Sequence, residues 1–204
     1  MDKDFDSYKE PSLGSESLFK DKGSKHFGYV FPVKTENDIE KRLNEIRKKH
    51  FSSRHVCYAW SLGTRKIKTK YTDDGEPHNS AGPPILGQIQ SFELKNVLVV
   101  VVRYFGGTKL GVGGLINAYK TAAKEAILNN KINTLFLTKT LMLSFPYSIM
   151  SDVMRFAKRE GITIVSQDFR ETCNLKIRVR EKFYSDYTEF LSKLHLLETK
   201  KLDL

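Results

Sequence analysis

NVLVVVVRYFGGTKLGVGGLINAYKTAAKEAILNN, residues 96–130, is the stretch on which the fold turns. Its opening, from Asn96 to Phe105, is an unbroken valine run rather than an alternation, which reads as a central strand covered on both faces. Five glycines follow in the nine residues 106–114. Beyond them Leu115, Tyr119, Ala122, Ala123, Ala126 and Ile127 fall on one helical stripe, and its small residues permit close packing.

Working outward toward the N-terminus, KHFGYVFPV alternates Phe27, Tyr29, Phe31 and Val33 on one face, as a half-buried strand does, and Pro32 marks an edge or an end. Thr35 and Asp38 form an approximate capping box ahead of Ile39, Leu43 and Ile46, so a helix follows the strand. HVCYAWSLG from His55 and KIKTKYT from Lys66 read as two strands turning near Gly63, with His55, near Trp60, either a functional imidazole or, as expected, a strand histidine satisfied by packing. DDGEPHNSAGPPILGQIQ, residues 73–90, is a turn-rich loop leading into a short helix with Ile85, Leu86 and Ile89. The polar first fifteen residues, with Pro11 and Gly14, read as a loose tail or an edge strand.

From Thr138 the pattern restarts. TLMLSFPY, SIMSDVMRFAKREG stopped by Gly161, ITIVSQDF, NLKIRVRE, FYSDYTEFLSKLHLL and ETKKLDL give the order βαββαβ, a ferredoxin-like unit. The expected organisation is a tail over 1–15, a first domain over 16–132 and a second over 136–204. In NLKIRVRE, Leu175, Ile177 and Val179 point one way and Lys176, Arg178 and Arg180 the other. That basic face is either a contact for RNA phosphates or a solvated surface, and it lacks the aromatics that stack bases.

A length of 204 residues accommodates two small domains, and 40% apolar with 28% charged residues excludes a disordered or collagen-like chain. No apolar run is long enough to cross a bilayer and the first residues hold no hydrophobic signal core, so the expectation is a cytoplasmic protein without a membrane partner. Cys57 and Cys173 are too few for a disulfide framework or a CxxC metal site; reduced thiols, no metal and no cofactor are expected. The formal net charge of +10 favours polyanionic partners, RNA, the ribosome or an acidic protein surface, and equally serves solubility.

A glycine loop between a strand and a helix presents backbone N–H groups at the positive end of the helix dipole, where phosphate binds. The spacing GGTKLGVGG lacks the GK[ST] ending of the P-loop, and GVGGLI is not GxGxxG, so neither common nucleotide cradle is present. Arg103, Gly106, Gly107, Lys109, Gly111, Gly113 and Gly114, with Lys176, Arg178 and Arg180, are therefore the candidate phosphate- or nucleic-acid-binding residues. The competing use of the glycines is positive φ and close packing. Asp73, Asp74, Glu76 and His78 gather three carboxylates and an imidazole, suited to a hard cation or acid–base work, or to tying a turn. They do not match an EF-hand, Ser80 has no identifiable triad partners, and no catalytic residue is assigned.

Taken together, SRHVCYAW, YTDDGEPHNSAGPPIL and VVVVRYFGGTKLGVGGLINAY resemble, in order and with consistent gaps, the signature blocks of the IMPACT family, whose bacterial members are the YigZ-like proteins. The resemblance spans roughly residues 20–130. Family members often read DDGEPxGTAGxP, where this chain carries His78, Asn79 and Ser80. The resemblance implies an α+β chain of two domains. The first is a ribosomal protein S5 domain 2-like fold, the left-handed βαβ type also seen in domain IV of elongation factor G. The second is ferredoxin-like, similar to domain V of that factor.

Those relatives work on RNA and the ribosome. Eukaryotic IMPACT proteins regulate translation by competing for a scaffold that activates a starvation-sensing kinase, through an extra N-terminal module absent from this sequence, so that partner is not carried over. The resemblance also marks Asp73, Asp74, Gly75, Glu76, Pro77 and Tyr104 as a motif surface. The expected function is a non-enzymatic RNA- or ribosome-binding protein that modulates translation. The alternatives are a nucleotide-binding enzyme using the glycine loop and the DDGEP carboxylates, and a protein-interaction module.

Overall fold

A computed structural model describes residues 5–202, which divide into one unit over Tyr8–Leu135 and another formed by 5–7 with 136–202. In the first, strands β1 (Ser7–Pro11), β2 (Ser15–Asp21) and β3 (Ser24–Pro32) lead into helix α1 (Glu36–Lys49). Strands β4 (His55–Leu62) and β5 (Lys68–Thr72), helix α2 (Gly82–Ser91), strand β6 (Val97–Tyr104), helix α3 (Gly111–Leu128) and strand β7 (Ile132–Phe136) follow.

The sheet order is β2-β3-β6-β4-β5 with every pair antiparallel, and the valine run is its middle strand. Val97, Val99 and Val101 pack toward α2 and α3, while Leu98, Val100 and Val102 pack with α1 residues, so positions 97–102 of β6 are apolar on both faces. Phe27, Tyr29, Phe31 and Val33 share the α1 face. Helix α1 begins with a complete capping box between Thr35 and Asp38. On the other face α3 packs tightly through its alanines: a Cβ on Gly28 of β3 would lie 2.5 Å from the Ala122 carbonyl oxygen. The Ser15 and Ser17 hydroxyls donate to the Ala126 and Ala122 carbonyls at 2.7 and 2.9 Å.

The tail expected over residues 1–15 is corrected from residue 7 onward. β1 pairs with β7, and the Ser12 amide donates to the Lys131 carbonyl at 2.9 Å. Polar composition does not prevent this, because backbone groups supply the bonds and an edge strand needs only one apolar face. Residues 1–4 of that expected tail lie outside the described residues.

The second unit runs β8 (Thr138–Phe145), α4 (Met150–Arg159), β9 (Thr163–Phe169), β10 (Cys173–Arg180), α5 (Tyr184–Ser192) and β11 (Glu198–Leu202). Its antiparallel order β11-β8-β10-β9 is the ferredoxin-like arrangement. Leu175, Ile177 and Val179 join Val153, Phe156 and Leu191 in its core. Asp6, fully buried, belongs to this unit: its carboxylate accepts from the Arg180 guanidinium at 2.7 Å and the Lys182 amide at 3.1 Å. Those bonds, Arg180 foremost, hold its carboxyl below the usual carboxylate range. Cys57 and Cys173 are both buried free thiols.

Candidate functional site

Two loops meet at the end of β6. Arg103 continues the alternation of Val99 and Val101, so it points toward the α3 face rather than outward. The antiparallel register sets His26 of β3, Arg103 of β6 and His55 of β4 in one row. The loop between β5 and α2 brings Glu76 to this row. One Arg103 nitrogen donates to both Glu76 oxygens at 2.8 and 3.1 Å, and the Tyr119 hydroxyl of α3 donates to Oε1 at 2.8 Å. The two charged side chains are only 8% and 3% exposed. Arg103 is therefore corrected from a surface cation for phosphate to the internal partner of Glu76. A buried guanidinium needs a carboxylate, and β6 alternation leaves it no outward path.

His26 completes the buried cluster. It is fully buried, edge-on to Tyr119 with ring centroids 5.3 Å apart, and neither ring nitrogen has a hydrogen-bond partner. Burial first, and the nearby Arg103 charge second, bring its pKa down to about 4, so the imidazole is neutral at pH 7. The Cys57 thiol lies 2.9 Å from the Asp73 carbonyl oxygen, and burial pushes its pKa up. A thiol kept protonated in this way is not a nucleophile.

Of the other DDGEP carboxylates, Asp73 is spent on the loop itself and Asp74 on β4. Asp73 accepts from the amides of Asn79, Ala81 and Gly82 at 2.9, 3.0 and 2.8 Å. Burial alone raises its pKa, but these amides outweigh it and hold the carboxyl below the usual range. Asp74 accepts from the Val56 amide at 2.8 Å, and its carbonyl takes a bond from His55 Nδ1 at 3.0 Å. Gly75, at φ +86°, turns the chain against His55, and the Pro77 carbonyl accepts from the Ser80 hydroxyl at 2.6 Å.

The glycine loop, residues 105–109, is exposed, including Lys109, which takes part in no ion pair among the described residues. Gly106 serves packing: a Cβ there would sit 1.9 Å from the Gly23 carbonyl carbon. Gly107 and Gly111 have φ of +92° and +72°, and a Cβ on Gly114 would crowd Leu110 at 3.0 Å. Gly113 has neither reason, with ordinary helical φ and nothing within 4 Å of the place a Cβ would occupy. No side chain caps the start of α3. Tyr104, one residue beyond Arg103, faces the α1 side instead, with its hydroxyl 3.0 Å from His50 Nδ1.

In the second unit Arg178 is exposed and Lys176 half-buried on the sheet face away from the core. Strand register adds Lys200 of β11 to the row that holds Met142 and Lys176. Arg180 is corrected as a phosphate ligand, because Asp6 holds its guanidinium. Sequence reading missed His26, Tyr119 and Cys57 as site residues because their partners lie tens of residues away. It also missed Lys200, whose face is set only by the register of β11 against β8.

The Impact N-terminal domain family matches residues 22–127, which include both loops and every member of the buried cluster. The chain belongs to the IMPACT family. An IMPACT family member of Haemophilus influenzae is 31% identical over 82% of this chain and 84% of its own. YigZ, an IMPACT family member of Escherichia coli, is 38% identical over 42% of this chain and 43% of its own. A solved structure described as that of a hypothetical protein, 22% identical, covers 98% of each chain with a TM-score of 0.69 and so shares the fold.

Against the usual IMPACT pattern DDGEPxGTAGxP, the departures at 79 and 80 have a physical reading. Asn79 stands at the pattern's second glycine and adopts φ +62°, a left-handed conformation that asparagine tolerates better than other side chains. Ser80 stands at the pattern's threonine and keeps its hydroxyl bond to Pro77.

Proposed function

We propose that this protein binds RNA or the ribosome in the cytoplasm and thereby modulates translation, with phosphate held at the start of α3 beside Lys109. The observation that carries this is Gly113. A glycine inside a helix costs up to about 0.5–1 kcal/mol relative to alanine, and at Gly113, the third residue of α3, neither φ nor packing requires it. It keeps the uncapped amides of α3 open to close approach by an anion. The net charge of +10, the exposed Lys109, the second basic face with Lys176, Arg178 and Lys200, and the family's links to translation support the same reading. Arg103 and Glu76 act from behind, locking the DDGEP loop onto the sheet end from which the glycine loop departs.

The commitment of Asp73, Asp74 and Glu76 to backbone or side-chain partners favours the binding reading over an enzyme that would use these carboxylates as ligands. The test is co-sedimentation with ribosomal subunits and titration of labelled RNA at several salt concentrations. Wild type is compared with Lys109→Glu and with the pair Lys176→Glu and Arg178→Glu. Salt-sensitive binding weakened by the charge reversals is expected. Equal binding by all three proteins sinks the reading, and a partner that survives ribonuclease in a pull-down replaces it with a protein contact.

A further inference from the structure

The α1 side of the same strand end carries an open cleft of about 440 Å³, lined by Gly23, Lys25, Phe27, His50, Tyr104 and Phe105. That volume lies within the range of about 300–1,000 Å³ that small-ligand sites occupy. Its walls are aromatic. The Phe27 and Tyr104 rings meet edge-to-face with centroids 5.8 Å apart, and Phe105 is 58% exposed, an unusual state for a phenylalanine beside a formed cleft. Lys25 is exposed at the rim and takes part in no ion pair among the described residues.

The hydrogen-bond chain behind the cleft has a direction. His50 lies between two phenols, with Nε2 2.7 Å from the Tyr29 hydroxyl and Nδ1 3.0 Å from that of Tyr104. Burial holds its pKa below the ordinary value, so the neutral ring has one N–H and one acceptor. Tyr29 is 5% exposed; the Lys49 ammonium, 4.8 Å from its ring centre, can only donate and is engaged by the Glu16 carboxylate at 3.1 Å, and among the described residues His50 Nε2 is the acceptor within hydrogen-bond distance of the Tyr29 hydroxyl. The Tyr29 hydrogen therefore has to go to Nε2, since the reverse order would bury an unsatisfied donor. The Nδ1–H then donates to the Tyr104 oxygen. That leaves the Tyr104 O–H itself, on the cleft wall, without an acceptor among the described residues.

An aromatic wall, a hydroxyl donor in need of an acceptor and a cation at the rim are the complement of a planar ring bearing a carbonyl or ring nitrogen and a phosphate. We propose that this cleft takes one unpaired base of single-stranded RNA. The base stacks on Phe105 and Tyr104, its acceptor edge receives the Tyr104 O–H, and the neighbouring phosphate meets Lys25. The inference rests on the RNA-binding reading and gives it a base-contacting site distinct from the phosphate contacts at Lys109.

The test uses a fluorescein-labelled short oligouridylate and a duplex RNA of equal length, read by anisotropy on the full chain. Stacking on one aromatic side chain is worth about 5- to 100-fold in affinity, so Phe105→Ala weakens the single strand by that factor and leaves the duplex unchanged. Tyr104→Phe, which keeps the ring, costs a smaller loss of roughly 3- to 10-fold. Unchanged melting curves exclude misfolding of either variant. Wild-type affinity for the single strand in both variants overturns the proposal. If Lys109→Glu alone then weakens RNA, the cleft is rejected while the RNA reading stands; no RNA binding by wild type removes both. Competition by micromolar uridine monophosphate also overturns it, since the occupant is then a free nucleotide.

Discussion

Acidification from pH 7 to pH 5 should cost the first unit about 2 kcal/mol through His26 alone. The imidazole is fully buried with no partner for either nitrogen, and its pKa falls from an ordinary 6.5 to about 4. Between those two values the unfolded chain binds a proton that the folded chain refuses. The stabilisation is therefore complete above pH 6.5 and is lost as pH falls toward 4. At pH 5 the unfolded group sits about 1.5 units below its own pKa, which at about 1.36 kcal/mol per unit gives the figure of about 2 kcal/mol.

Trp60, the single tryptophan, lies buried in this unit and reports its urea unfolding by fluorescence. The comparison is wild type against His26→Leu at pH 7, 6 and 5. His50, whose pKa burial likewise lowers, is present in both proteins and cancels in the difference. The variant's stability relative to wild type should improve by about 2 kcal/mol on going from pH 7 to pH 5. A difference that stays constant across the three pH values would refute the reasoning, because His26 would then bind its proton equally well in both states.

Glu76→Ala leaves the Arg103 guanidinium buried and unpaired and should cost about 3–5 kcal/mol in chemical denaturation; a loss below about 1 kcal/mol contradicts the role given to the pair. Gly106→Ala and Gly113→Ala should move the melting temperature in opposite directions. The first drives a Cβ into the Gly23 backbone, whereas the second meets open space and gains about 0.5–1 kcal/mol of helix propensity.

The first unit was legible wherever its signal was local. The unbroken run Val97 to Val102 announced a strand covered on both faces, and α1 and the α2/α3 pair do cover it. The alternation from Phe27 to Val33 and the Thr35 cap gave β3 and the start of α1 for the same reason, since burial and capping act over a few residues. Arg103 was misread because it stands near the end of β6, two residues before the exposed glycine loop. Its counterion Glu76 comes from 27 residues earlier, and only the closed sheet brings the two together. The alternation through Val99 and Val101 held the needed clue. Asp6 gave none, because a carboxylate in a polar segment looks the same whether solvated or folded against Arg180. The phenol–imidazole chain through Tyr29, His50 and Tyr104 joins three elements and likewise exists only in three dimensions.

The most direct measurement of the proposed phosphate contact is the slope of log affinity for single-stranded RNA against log salt, for wild type and Lys109→Ala. Loss of one phosphate contact should make the slope shallower by about 0.7. An identical slope in the two proteins would contradict the assignment of Lys109 and the start of α3 as the phosphate site.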